Sequence, residues 1–266
     1  MPKSKVYLNS VYRTPLVNED RRGFLRLNMN EYVPGLPEDI VKSVIKNINA
    51  DTLSAYPEYY SLIQKIAQYN NVGFENICLT NGSDSAIKYV FDAYISRGDK
   101  VLYANPTFAM YPVYCKSHGA DEVVVDYKND LSFPKKEFVE HLMNDQINLA
   151  IIVNPANPTG SILTKDDLLE ILDITKKKDV LLIIDEAYFY FHPETLIQEI
   201  KRYNNLVVLR TFSKLCSIAA ARIGYVTASE EIVKNIYKVK PSYDVNILAI
   251  LLANKLLDNT RILEQL

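Results

Sequence analysis

The chain has 266 residues, 48% of them hydrophobic, enough to bury one large core or one core with a small appendage. Its 30 basic and 32 acidic side chains are mixed along the sequence for a net charge of −2, which leaves no nucleic-acid footprint and no polybasic membrane patch. Cys78, Cys115 and Cys216 lack CxxC spacing and His118, His141 and His192 lack an HExxH pair, so neither a disulfide framework nor a zinc site is expected.

Residues 1–35 carry Pro, Gly and Asn without a clear period and read as an extended arm, in which Leu27-Asn28-Met29-Asn30-Glu31 gathers polar groups. Pro37 with Glu38 and Asp39 predicts a helix start, because proline and acids suit a first turn. A turn at 55–60 leads into a second helix with Leu62, Ile63, Ile66 and Ala67 as its apolar positions. Strands are predicted at 77–79, 101–103, 122–125, 149–153, 180–184 and 206–209, with a further apolar run at 223–226. Helices are predicted between them at 83–96, 108–118, 135–143 and 165–176, the last capped by Thr164. A helix at 230–240, a break at Pro241 and a helix at 246–257 follow. This last helix is apolar almost all round, so it needs a partner surface: another subunit, or a segment beyond the chain. The alternation predicts an α/β fold, a mostly parallel sheet sandwiched by helices. No apolar run is long enough to cross a membrane or to form a signal peptide, and cytoplasmic location is expected.

Such folds gather their ligands at the carboxyl ends of strands, and four polar clusters fall there. Thr80-Asn81-Gly82-Ser83-Asp84 opens a helix, where free N–H groups favour an anion, although an ordinary turn and N-cap has the same composition. Asn154-Pro155-Ala156-Asn157-Pro158-Thr159-Gly160 is a rigid loop with two Asn-Pro pairs. Asp185-Glu186-Ala187-Tyr188 places carboxylates after a buried strand, a costly position unless each meets a cation or a protonated nitrogen. Arg210-Thr211-Phe212-Ser213-Lys214 presents a lysine at a strand end, with Arg222 shortly after it. An anion cradle, an amide, a carboxylate, a lysine and an arginine suit pyridoxal 5′-phosphate (PLP), whose phosphate, ring nitrogen and aldehyde need such groups. A dinucleotide or nucleoside triphosphate fits worse, because neither GxGxxG nor GxxxxGK[ST] is present.

These clusters, with Asn105-Pro106-Thr107-Phe108-Ala109-Met110-Tyr111 and Ala221-Arg222-Ile223-Gly224, resemble the fold-type I PLP enzymes of the class I/II aminotransferases, and most closely their histidinol-phosphate aminotransferase branch. The resemblance implies that Lys214 anchors PLP and shuttles the proton, that Asp185 partners the ring nitrogen, and that Asn157 and Tyr188 contact the ring hydroxyl. It implies that Phe108 stacks on the ring and that Gly82, Ser83, Asp84, Thr211, Ser213 and Arg222 lie in the phosphate-holding segments. Whether Thr211 or Ser213 makes the closer contact stays open. Tyr56 is similar to a tyrosine that reaches the partner subunit's phosphate, which implies a homodimer. Asn28, Asn30 and Glu31 match the segment bordering the substrate.

Two departures stand out. The turn after the lysine, Leu215-Cys216-Ser217-Ile218-Ala219-Ala220, lacks glycine, and no residue matches the family's arginine for the substrate carboxylate. The expected organisation is an arm and small-domain segment (1–35), a PLP-binding large domain (36–240) and a helix leading into a truncated C-terminal small domain (241–266). The implied activity is transfer of an amino group between an amino acid, or a histidinol-phosphate-like amino-alcohol phosphate, and a 2-oxo acid such as 2-oxoglutarate. A PLP decarboxylase of a phosphorylated amino acid and an inactive PLP-binding fragment are the alternatives.

Overall fold

The structure, a computed structural model, describes residues 21–258. Residues 1–20 of the predicted arm and 259–266 at the other end lie outside the described residues. Strands β1 (Ile77–Thr80), β2 (Lys100–Asn105), β3 (Asp121–Asp126), β4 (Leu149–Val153), β5 (Leu181–Asp185), β6 (Leu206–Thr211) and β7 (Gly224–Ala228) form one sheet in the order β1-β7-β6-β5-β4-β2-β3. Strands β2 to β6 pair in parallel, and β7 runs antiparallel to both β1 and β6. The predicted mostly parallel α/β sheet is therefore present. β7 reverses because the β6–β7 connection holds a 3-10 turn (Ala219–Ala221) and not the helix that a parallel crossover uses.

The helices are α1 (Glu38–Ile45), α2 (Ala50–Ser54), α3 (Tyr60–Asn70), α4 (Gly82–Tyr94), α5 (Met110–His118), α6 (Lys135–Asn144), α7 (Lys165–Lys177), α8 (Glu230–Val239) and α9 (Ile247–Asp258), and those from α3 onward enclose the sheet. Successive strand residues face opposite sides. Ile151, Ile183 and Leu209 pack with Phe91 and Tyr111 on α4 and α5, while Ile152, Ile184 and Val208 pack with Phe138 and Ile171 on α6 and α7. That double burial is why these strands read as unbroken apolar runs. The Thr164 cap is present, its hydroxyl accepting the Asp167 N–H at 3.2 Å.

Two expectations need correction. Before the turn at 55–60 stands α2, opened by Asn49, whose side chain accepts the Thr52 N–H at 2.9 Å. The apolar α9 finds its partner within the chain: Ala249, Ile250, Ala253 and Leu256 are buried in a cluster with Ile40 of α1 and Leu62 and Ile66 of α3. The sequence pattern shows that such a helix needs cover, but not that helices some 190 positions earlier supply it.

Candidate active site

A cavity of about 590 Å³ opens at the carboxyl ends of β4, β5 and β6. One wall begins where β1 passes into α4. Gly82 there has φ +76°, a backbone state that suits glycine, and a Cβ would lie 2.5 Å from Arg222 Nη2. Ser83 and Asp84 follow in the first turn of α4, where N–H groups lack helical partners. Opposite them, the Thr211 hydroxyl donates to Ser213 Oγ at 2.9 Å, and the Ser213 N–H donates back to Thr211 Oγ1 at 3.1 Å. Arg222 Nη1 reaches Ser213 Oγ at 3.4 Å, and Nη2 lies 3.4 Å from Asp84 Oδ2. Arg222 points inward from a left-handed residue, φ +57°, and Ser217 at φ +61° supplies the bend for which no glycine is available. Gly224, at the start of β7, closes this wall from behind. A Cβ on it would lie 2.8 Å from the Ser83 N, so glycine lets β7 sit against the start of α4.

The floor is Asp185, the last residue of β5, only 3% exposed. Its Oδ2 accepts the Tyr111 hydroxyl at 2.7 Å and its Oδ1 accepts the Ala187 N–H at 3.0 Å. Burial pushes its carboxyl up to about 6, against those two hydrogen bonds, and the charge of Asp84 adds to the rise. Among the described residues no ion pair involves Asp185. Glu186, facing the other side, is equally buried but paired: Arg210 Nε and Nη2 both reach its Oε2 at 2.8 Å. The Thr195 hydroxyl donates to Oε1 at 2.6 Å. Of the two sequence-adjacent acids, the cation belongs to Glu186.

Lys214 Nζ donates to the Met29 carbonyl at 3.1 Å and lies 5.4 Å from the centre of the Tyr188 ring. The Tyr188 hydroxyl accepts from Asn30 Nδ2 at 2.8 Å, so the segment around Asn30 lies across the lysine. Glu31 lines the cavity, held by Arg21 at 2.6 Å. Phe108 forms a wall, with its ring edge-on to Tyr111 (centroids 6.2 Å apart, planes at 84°). Asn157, Tyr188 and Glu31 border both this cavity and a neighbouring one of about 640 Å³, which Asn30 also lines.

Gly82 and its neighbours, Phe108, Asn157, Asp185, Tyr188, Thr211, Ser213, Lys214, Arg222, Asn30 and Glu31 thus meet around one centre. Asn28 and Tyr56 do not. Asn28 accepts from Arg21 at 3.0 Å outside both cavities, and Tyr56, 74% exposed, stacks on Tyr243 with centroids 4.2 Å apart. Tyr111 and the Met29 carbonyl are the neighbours that sequence reading missed. Tyr111 carries no signal of its own in the sequence: an aromatic at the start of α5 reads as core, and the partner of its hydroxyl lies on β5.

The residues fit PLP. The Gly82 turn and the Arg222–Ser213–Thr211 group form a cradle that a Cβ would fill, Asp185 is a buried carboxylate without a cation, and Lys214 stands at the same cavity. Among known proteins, the family described as aminotransferase class I and II matches residues 22–265. The histidinol-phosphate aminotransferase of Thermoanaerobacter sp. (strain X514) is 34% identical over 255 residues, which cover 91% of this chain and 72% of that protein. The solved structure of histidinol-phosphate aminotransferase from Sinorhizobium meliloti in complex with pyridoxal-5′-phosphate shares the fold, with a TM-score of 0.87 at 20% identity over 100% of this chain and 73% of that one. That of L-threonine-O-3-phosphate decarboxylase from Porphyromonas gingivalis has a TM-score of 0.73 at 27% identity, covering 85% of this chain and 70% of that one.

Proposed function

The chain belongs to the class I and II aminotransferases, PLP-dependent enzymes, and we propose that it exchanges an amino group between a histidinol-phosphate-like amine and a 2-oxo acid such as 2-oxoglutarate. When bound, PLP supplies an aldehyde that combines with amines and a protonated ring that withdraws electrons. Lys214 would hold that aldehyde, and its amine would take the proton from the substrate carbon bearing nitrogen and return it later. The Met29 carbonyl, at 3.1 Å, orients the amine for this transfer. Asp185, ionised, keeps the proton on the ring nitrogen. Asn157 and Tyr188 would hold the ring hydroxyl, Phe108 would stack on the ring, and Gly82, Ser83, Asp84, Thr211, Ser213 and Arg222 lie in the segments that would hold the phosphate. Asn30 and Glu31, with Asn28 behind them, border the substrate and exclude water from the lysine.

Tyr56 would complete the phosphate site of a second copy, which makes the working enzyme a homodimer; a cytoplasmic location is part of the same proposal. The exposure of Tyr56 on the surface, away from its own cavity, agrees with that role. The observation that carries the reading is that Lys214, Asp185 and Arg222 line one cavity. PLP added to the protein should give a visible absorbance band that Lys214→Ala abolishes. Histidinol phosphate with 2-oxoglutarate should then yield glutamate at rates roughly 10²–10⁴-fold above that variant. A band without glutamate formation, with any phosphorylated amine, would overturn the transfer reading. The likeness to the threonine-phosphate decarboxylase supports a second reading. Release of carbon dioxide from a phosphorylated amino acid, without glutamate formation, would establish it.

A further inference from the structure

We propose that Tyr111 is a positioning residue that orients the Asp185 carboxylate and keeps it ionised in a site too buried to favour the charge by itself. Tyr111 is fully buried, and its hydroxyl lies 2.7 Å from Asp185 Oδ2. Burial first, and then the Asp185 charge, hold the Tyr111 hydroxyl protonated far beyond neutral pH, so it can only donate. With the Ala187 N–H on Oδ1 at 3.0 Å, each carboxylate oxygen has one fixed donor, which sets the rotation of the group. A donor to a carboxylate favours its charged form.

The surrounding charges work the other way. Asp84 on α4 and Glu186 beside it in the chain both raise the proton affinity of Asp185, on top of burial. Tyr111 on α5 is thus the one side chain that opposes them by a hydrogen bond among the described residues. Its ring also stands edge-on to Phe108, so α5 contributes both a cavity wall and the carboxylate's support. The inference rests on the cofactor reading only for the purpose Asp185 serves.

Tyr111→Phe removes one oxygen and keeps the buried ring. In the cofactor-free protein, carboxylate-labelled NMR should show Asp185 titrating near 6 in the unaltered chain and about one unit higher in the variant. The affinity for PLP, read by absorbance, should fall about twofold in Tyr111→Phe at pH 7 and about tenfold at pH 5, where the shifted titration leaves least of the carboxylate ionised, with no further fall when Asp185→Asn is already present. An unchanged Asp185 titration would overturn the proposal. So would an equal loss of PLP affinity in the Asp185→Asn background, which would make Tyr111 a packing residue behind Phe108. If the chain binds no PLP at all, the cofactor reading fails while the titration still decides the role of Tyr111. A thermal melt of the variant checks that the fold is intact.

Discussion

Asp185 and Glu186 are neighbours in sequence, almost equally buried, and serve opposite ends. Glu186 is met by a guanidinium and a hydroxyl, and that guanidinium lies over the ring of Phe189, with Arg210 Cζ 3.5 Å from the ring centre. Asn70 Oδ1 accepts from Arg210 Nη1 at 2.8 Å. That side of the sheet is a closed, satisfied network. Asp185 has two neutral donors and an open cavity in front of it. A carboxylate left without a cation in the interior destabilises the fold unless a ligand supplies the charge. The difference teaches how to tell a structural buried acid from a functional one: not by burial or sequence position, but by whether the fold itself provides the counter-charge.

The largest expected effect breaks the Glu186 side. Glu186→Gln leaves Arg210 buried and without its counter-charge, which should lower the unfolding free energy by about 3–5 kcal/mol in a denaturant titration. The protein that stays folded should keep its lysine-dependent PLP band. A loss under about 1 kcal/mol would mean that the pair is not the support described here.

Asp185→Asn should do the reverse, costing chemistry and not stability. Transfer should slow by roughly 10²–10³-fold, the usual effect of removing one preorganised electrostatic partner. The stability effect follows from the sign of the shift. The folded protein holds the Asp185 proton to about 6, above the ordinary range near 3.9 of an unfolded chain. Stability from that proton is complete below about pH 4 and is lost as pH rises through 6. At pH 8 the ionised group therefore costs the cofactor-free protein up to roughly 3 kcal/mol. Asp185→Asn should melt higher than the unaltered protein at pH 8 and show no such gain at pH 4. Equal melting at both values would show that Asp185 already has its counter-charge within the fold.

Much of this was legible in the sequence, for physical reasons. A strand buried on both faces must be apolar throughout, so β4, β5 and β6 announce themselves, and the polar residues that follow them fall at the ligand-binding edge. Lys214, Asp185 and Arg222 were found in that way. Alternation along β5 even implies that Asp185 and Glu186 face apart. Which of them meets Arg210 depends on the register of β5 against β6, where Asp185 lies opposite Leu209 and Arg210 comes next. Strands joined by a 20-residue connection do not reveal that register in either one's composition. Tyr111 was hidden for a similar reason: an aromatic in a helix reads as core, and only its distance to a residue 74 positions away gives the hydroxyl a purpose. The post-lysine turn shows a different limit. It lacks a glycine, yet Ser217 takes the left-handed state itself, at a cost of about 1–2 kcal/mol.

The smallest expected effect tests how the two halves of the cavity communicate. Asp84 lies 3.4 Å from Arg222, with both side chains nearly half exposed, so the pair itself is worth about 0–1 kcal/mol and its loss should leave melting within a degree or two. Its charge nonetheless acts on both functions of the cavity. It occupies one face of the arginine proposed to hold phosphate, and it adds to the proton affinity of Asp185. Asp84→Asn keeps the shape of the side chain and removes the charge. PLP binding should tighten roughly two- to fivefold at low salt, and the gain should shrink at high salt, where exposed charges are screened. In the same variant Asp185 should titrate lower, opposite in direction to Tyr111→Phe and smaller in size, because a charge acting through partly solvated space is weaker than a direct hydrogen bond. An Asp185 titration unmoved by Asp84→Asn, together with tighter PLP binding, would confine Asp84 to the phosphate cradle. Tyr111 would then be, among the described residues, the only side chain outside β5 and its following turn that sets the charge on Asp185.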